Sequence, residues 1–281
     1  MNRRLMTNFG LLLMAAILAL VAWLQPGLED DSGVAPLATL DPASVTELVV
    51  SRPGLDAIVL EREDGIWMMR EPVPIHASEA RIDAVLAVLE APVRAGFPAA
   101  SVDPANYGLD APRIQLRVDG VELAFGDTEP IDRRRYVRIQ DRIVLIDDQH
   151  YVWLHGSVGD FVSRQLLPPG ATLEVLELPG MVLRRDGDTA SWRVAPADGM
   201  SAEEASGLAS EWSRAQAIAI ESHGLVDNEA PRIRLLLDDG RELEFAVIGD
   251  DGDPLFVRAD VGLAWRMSEA QAARLLEPSE P

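Results

Sequence analysis

The residues of this chain best placed to do chemistry are arginines at matching positions. Arg138 follows Tyr136 by two residues, and Arg258 follows Phe256 by two. Each arginine therefore shares a strand face with its aromatic, because alternate side chains on a strand point the same way. A guanidinium so placed can hold a carboxylate or phosphate through two parallel hydrogen bonds, or it can serve a structural ion pair. Tyr107 and His223 each precede a glycine, where a ring either covers a core edge or touches a ligand. Arg133, Arg134 and Arg135 form the one basic cluster of a strongly acidic region, while the matching loop before Phe256 carries Asp250, Asp251 and Asp253. Opposite charge at matching tips suits mutual pairing or the docking of a protein partner. Tyr107, Arg133, Arg134, Arg135, Arg138 and Arg258 are thus the candidate partner or ligand contacts.

Other chemistries are poorly served. The chain has no cysteine, and all 25 of its basic residues are arginine. Thiol nucleophiles, thiolate metal sites, Schiff bases and phosphate-loop lysines are excluded. His76, His150, His155 and His223 show no metal-ligand spacing, and the Gly249–Pro254 loop lacks the alternating ligands and terminal glutamate of a calcium loop. His155-Gly156-Ser157-Val158-Gly159 is not a nucleophile elbow. No catalytic, cofactor-binding or metal residue is assigned, so the chain reads as a non-enzyme. A hydrolase using two of its 46 acidic residues stays open as a lesser reading. The net charge of −21 repels nucleic acid, which is not expected as a partner.

The elements that position these residues come as a duplication. Tyr107-Gly108-Leu109, Ala111-Pro112-Arg113-Ile114 and Tyr136-Val137-Arg138 return as His223-Gly224-Leu225, Ala230-Pro231-Arg232-Ile233 and Phe256-Val257-Arg258. The first repeat, residues 44–170, opens with short β-rich runs around Val45–Val50 and Ala57–Glu61. A strand through Trp67 follows, then a helix entered near Ser78 with Ile82, Val85, Leu86 and Leu89 on one face. Strands at 114–118, 121–125, 135–139 and 143–146 come next, with Asp119-Gly120 as a hairpin turn. A helical stretch through Tyr151 and Leu154 then leads to the boundary at Pro168-Pro169-Gly170. The second repeat, residues 171–277, matches it: Trp192 for Trp67, Asp239-Gly240 for Asp119-Gly120, and a helix capped by Ser201 with Glu204 that carries Ala205, Leu208 and Trp212. Ser268 with Gln271 caps a last helix. The expected fold class is α+β, with antiparallel strands and one main helix per repeat.

Ahead of the repeats, Arg3 and Arg4 precede an apolar run ending at Trp23 and Leu24. The expected reading is a cytoplasmic N-terminus at 1–7, a transmembrane signal anchor at 8–24 and an acidic Pro/Gly tether at 25–43. A cleaved signal peptide is the competing reading. With the anchor retained, the chain is expected in the bacterial inner membrane, single-pass, with its N-terminus inside and its bulk periplasmic.

The tryptophan hairpin, Tyr107 to Pro112, the Phe125-Gly126 pair and Tyr136 to Arg138 resemble the bacterial DUF4340 family of membrane-anchored proteins. That resemblance covers nearly all of the chain after the tether. It implies an accessory or scaffold role beside an ABC-type transport system, with its permease and ATPase as partners, no cofactor, and no catalytic residues to carry over. The second repeat departs from the pattern at His223, at Val226 to Glu229 and in the separation of Phe245 from Gly249. The alternative is a binding module that holds a small molecule or envelope polymer between the repeats, with Tyr107, Arg138 and Arg258 as contacts.

Overall fold

The computed structural model describes Met14 and residues 35–187, 189, 191–196, 200–224, 226–227, 229–249 and 253–276. Leu37–Pro281 forms one compact unit, and the description below concerns that unit. Its first half builds a nine-stranded antiparallel sheet. The strands are β1 (Glu47–Ser51), β2 (Ile58–Glu63), β3 (Ile66–Glu71), β4 (Ile75–His76), β5 (Ala95–Pro98), β6 (Ile114–Val118), β7 (Val121–Thr128), β8 (Arg134–Ile139) and β9 (Arg142–Asp147), with helix α1 (Glu79–Leu86) between β4 and β5. They lie side by side in the order β4-β3-β2-β1-β6-β7-β8-β9-β5. The second half builds an eight-stranded sheet from β10 (Leu173–Leu178), β11 (Met181–Arg185), β12 (Trp192–Ala195), β13 (Ala219–Ser222), β14 (Arg232–Leu237), β15 (Glu242–Ile248), β16 (Leu255–Arg258) and β17 (Leu263–Arg266). Helices α2 (Ala202–Arg214) and α3 (Glu269–Leu276) accompany it, and the strand order is β12-β11-β10-β14-β15-β16-β17-β13. Without β4, the two orders are the same.

The local causes are plain. In β6, Ile114, Leu116 and Val118 are buried while Gln115 and Arg117 face out, the alternation of a half-covered strand. Asp119 and Gly120 both take positive φ, as a two-residue hairpin with the right twist requires. The Asp119 carboxylate also accepts from the backbone N–H groups of Thr46 (3.1 Å) and Glu47 (2.8 Å), fixing the start of β1. Helix α2 begins in a reciprocal capping box. Ser201 N–H donates to Glu204 Oε2 at 2.7 Å, and Glu204 N–H donates to Ser201 Oγ at 3.2 Å. Its buried stripe of Ala205, Leu208, Ala209 and Trp212 meets the sheet where Trp212 packs on Phe245 and Phe256.

The expected α+β class is corrected. The architecture is mostly β, two large antiparallel sheets with short helices of eight, thirteen and eight residues among the described residues. Turn residues cut the chain into strand-length pieces, and the one apolar stripe of each helix covers part of one broad sheet. The stretch through Tyr151 and Leu154, expected as helix, forms a 3-10 turn over Asp148–Leu154, followed by another at Val158–Phe161.

The membrane reading is also corrected. No helix among the described residues is long and apolar enough to cross a membrane. The longest, thirteen residues, reaches about 20 Å at 1.5 Å per residue, against a hydrocarbon core of about 30 Å. The expected span at 8–24 lies, apart from Met14, outside the described residues, as does the tether up to residue 34. The signal anchor, and with it the single-pass periplasmic placement, is set aside.

The two halves share one buried apolar cluster, and the chain between them is woven into both. Ser163 N–H donates to His76 O (2.9 Å), and Ser78 N–H donates to Phe161 O (2.8 Å). From the second half, Ala217 N–H donates to Arg164 O (2.8 Å), and Leu166 N–H donates to Ala215 O (3.2 Å). Gly159 presses against the second sheet so closely that a Cβ there would lie 2.1 Å from the Ile220 carbonyl oxygen. Residues 159–166 are therefore a seam, a fixed joint between the sheets.

Candidate functional site

The three tip arginines separate in the structure. Arg133 sits at the hairpin turn with φ +57°, exposed, and makes no hydrogen bond or ion pair among the described residues. Arg134 is committed to Asp132 (3.4 Å) and more loosely to Asp147 (4.0 Å). Arg135 is not on the surface at all: it is 8% exposed. Its guanidinium lies 3.4 Å from the Tyr151 ring centre, donates to Gly126 O (2.6 Å) and Thr128 Oγ1 (3.1 Å), and pairs with Asp148 (2.5 Å). It is a structural cation that closes one end of the first sheet. Of the aspartates expected to oppose the tip, Asp250 and Asp251 lie outside the described residues.

Arg138 and Arg258, equivalent in sequence, face opposite ways. In β8, Val137 is buried in the core opposite Phe125, so Tyr136 and Arg138 point to the outer face. In β16, Phe256 is the core residue, packed on Trp212, so Arg258 points inward with it. The cause is a bulge in β7: Phe125 pairs with Val137, yet Thr128 pairs with Arg135, so β7 spends one extra residue. No such irregularity interrupts β15 and β16. A one-residue slip moves every side chain to the other face. The bulge falls at Gly126, where a Cβ would lie 2.2 Å from the Tyr107 carbonyl oxygen and 2.9 Å from Leu109 Cγ. The Tyr-Gly-Leu segment thus lies flat on the outer face, with Leu109 buried at 4% exposure.

Arg258 is spent at the seam. It pairs with Asp260 (2.5 Å), stacks over Trp265 (5.9 Å) and lines a cavity of about 20 Å³ with His76, Ser163 and Leu166. Burial, then the Arg241 and Arg258 charges, push the His76 pKa down. Tyr107 stacks on Phe97 (5.3 Å) and meets Tyr136 edge to face (4.8 Å). Tyr107, Arg138 and Arg258 therefore line no common cleft.

Arg138 lines an open groove of about 740 Å³ on the outer face of the first sheet. Val49, Ser51, Gln115, Arg117, Ala124 and Gln140 line it, with Leu109, Asp110 and Pro112 along one wall. Arg117 pairs with Glu47 at 2.9 Å, whereas the Arg138 side chain makes no ion pair or hydrogen bond among the described residues. On the matching face of the second sheet the charges are paired. There Glu244 holds Arg232 (2.5 Å) and Arg234 (2.9 Å), and both cations keep its carboxyl below the usual carboxylate range. Glu244 pairs across with Arg234 as Ala124 pairs with Gln115, so the acid that closes one face is an alanine on the other. The signal was present in Leu123-Ala124-Phe125 against Leu243-Glu244-Phe245, two Leu-x-Phe triplets that differ at the outward position.

A second groove, of about 640 Å³, runs along the seam between Ser78, Arg81, Trp153 and Asp160 on one side and Gln165, Pro169 and Gln216 on the other. Arg81 lies between the rings of Trp153 (5.4 Å) and Phe161 (4.9 Å). Among the described residues, no three His, Asp or Glu side chains gather as a metal site. Comparisons with family models, with curated proteins and with solved structures find no match to this chain. The DUF4340 resemblance is accordingly neither supported nor refuted by them.

Proposed function

We propose that this chain is a non-catalytic accessory scaffold that docks a protein partner on the outer face of its first sheet. The observation that carries the reading is the difference between two otherwise matched faces. One is closed by the Arg232–Glu244–Arg234 ion pairs; the other, with Ala124 at that place, opens into a groove with Arg138 unpaired. A small apolar floor of Val49 and Ala124 ringed by Arg117, Arg138, Gln115 and Gln140 has the composition of a contact surface with a polar rim. The partner, on the motif resemblance, is the permease or ATPase of an ABC-type transport system.

The test uses a photo-crosslinking amino acid at Gln115 and, separately, at Arg234 on the closed face. Adducts with such a partner from position 115 alone, lost when Ala124→Glu installs the acid of the second sheet, are the expected result. Equal adducts from both faces, or adducts unaffected by Ala124→Glu, would overturn the reading. The second reading, a ligand held between the repeats, has the Trp153 groove at the seam in its favour, with none of Tyr107, Arg138 or Arg258 as contacts.

A further inference from the structure

Five of the described aromatic rings carry an arginine. Arg62 stacks over Trp67, Arg81 over Trp153 and Phe161, Arg135 over Tyr151, and Arg258 over Trp265. Two ring clusters carry none: Trp212, Phe245 and Phe256, fully buried in the core, and a second cluster that is partly exposed. Phe97 in β5, Tyr107 and Tyr136 in β8 form a run of three half-buried rings, with centres 5.3 Å and 4.8 Å apart, and no arginine stacks over any of them among the described residues. Of the nearby cations, Arg134 pairs with Asp132 and Asp147, Arg135 pairs with Asp148, Arg138 lines the groove, and Arg133 is exposed at the hairpin turn.

A carboxylate accompanies the rings. Glu129, where the β7–β8 hairpin leaves the sheet, has a buried Oε2 with no hydrogen-bond partner. It lies within electrostatic reach of the Tyr136 hydroxyl, whose pKa it raises, second to burial. A buried carboxylate oxygen without a donor is costly to keep unless something cationic completes it. The second repeat lacks the arrangement: His223 stands for Tyr107, Phe256 is turned into the core, and Ser222 opposes Leu263 where Phe97 opposes Ile143. The cluster is therefore not a by-product of the duplicated fold.

We propose that Phe97, Tyr107, Tyr136 and the Glu129 carboxylate form a recognition site for an alkylammonium group. Ring faces attract such a cation through their quadrupoles, and the carboxylate supplies the charge and an acceptor. The net charge of −21 draws cations toward it. A primary amine such as a lysine side chain and a quaternary amine share this chemistry, and they differ in whether an N–H donates to Glu129.

Isothermal titration of the full chain with tetramethylammonium and with n-butylammonium chloride, against sodium chloride at equal ionic strength, tests the site. Saturable binding of an organic cation and none of sodium is expected. Tighter binding of butylammonium would assign a primary amine, and tighter binding of tetramethylammonium a quaternary one. Glu129→Gln should weaken binding about tenfold through loss of the charge-assisted contact. Tyr107→His, the residue the second half carries, should weaken it roughly threefold through loss of one ring. Arg234→Gln, on the second sheet, should leave it unchanged, which separates a specific site from a general effect of the chain's charge. No saturable heat with either organic cation, or Glu129→Gln binding as the wild type does, would overturn the proposal.

Discussion

Gly126→Ala should be among the most damaging single-methyl additions in the first half. The added Cβ would stand 2.2 Å from the Tyr107 carbonyl oxygen and 2.9 Å from Leu109 Cγ, more than an ångström inside contact distance of a backbone atom. The segment over β7 must then lift. Leu109, 4% exposed, loses burial worth about 2 kcal/mol. Tyr107 loses part of its contacts with Phe97 and Tyr136, at about 0.5–1.5 kcal/mol each. The expected destabilisation is about 3 kcal/mol, read as a lower urea midpoint at unchanged slope. Gly120→Ala is the internal control. Its φ of +85° costs about 1 kcal/mol, with nothing within 4 Å for the methyl to meet. Equal losses for the two variants, or less than about 1 kcal/mol for Gly126→Ala, would show that the Tyr-Gly-Leu segment is not pinned there. The reasoning about the bulge, and about which way Tyr136 and Arg138 point, would then fail with it.

Arg135→Ala should cost about 2–4 kcal/mol in thermal or urea unfolding, because it strips the Gly126 carbonyl and Asp148 of their buried cation; a loss under about 1 kcal/mol would return Arg135 to the surface tip. Stability should fall as pH drops below about 6.5. The pKa values of His76, His150 and His155 are all lowered in the folded state, foremost by burial, so the unfolded chain takes up protons first and gains on the native state as pH falls through its own value. Above that pH the contribution is fully present. His76→Gln should flatten the slope between pH 7 and 5 in urea titrations, and a slope identical to the wild type would show that His76 is not held neutral against Arg241 and Arg258.

Much of the scaffold was legible. The Asp-Gly turns, the Ser78 and Ser201 caps and the alternation of β6 are local effects, written in adjacent residues, and each element lies near its expected place. What misled was scale. A helical stripe such as Ile82, Val85 and Leu86 announces itself strongly, while nine strands announce themselves one short run at a time, so helix was overweighted in the fold class. Asp148–Leu154 shows the limit differently: its apolar spacing suits a helix, but Arg135 needs Asp148 and Tyr151 at one place, and tertiary contacts tighten the segment into a 3-10 turn. The candidate contacts were harder still. Whether an arginine on a strand faces core or solvent depends on strand register, and register here turns on one bulged residue facing a carbonyl nearly twenty residues upstream.

That bulge bears on how a duplicated scaffold divides its work. The inner face of each sheet contributes to one continuous core, where lost volume costs stability directly. The outer faces also bury apolar residues, Leu109 on the first and Leu255, Val257 and Ala264 on the second, but there the halves part. The second sheet spends its acids and arginines on each other, which ties strands together and, among the described residues, pairs the outward cations Arg232 and Arg234. The first turns Tyr136 and Arg138 outward through the bulge and omits the acid at Ala124, giving up a few tenths of a kcal/mol of ion pairing. Two equivalent sites would require the two Val-Arg pairs to face alike, and they do not. The asymmetry therefore favours a single working surface on the first sheet, with the second serving as the support that holds it through the seam.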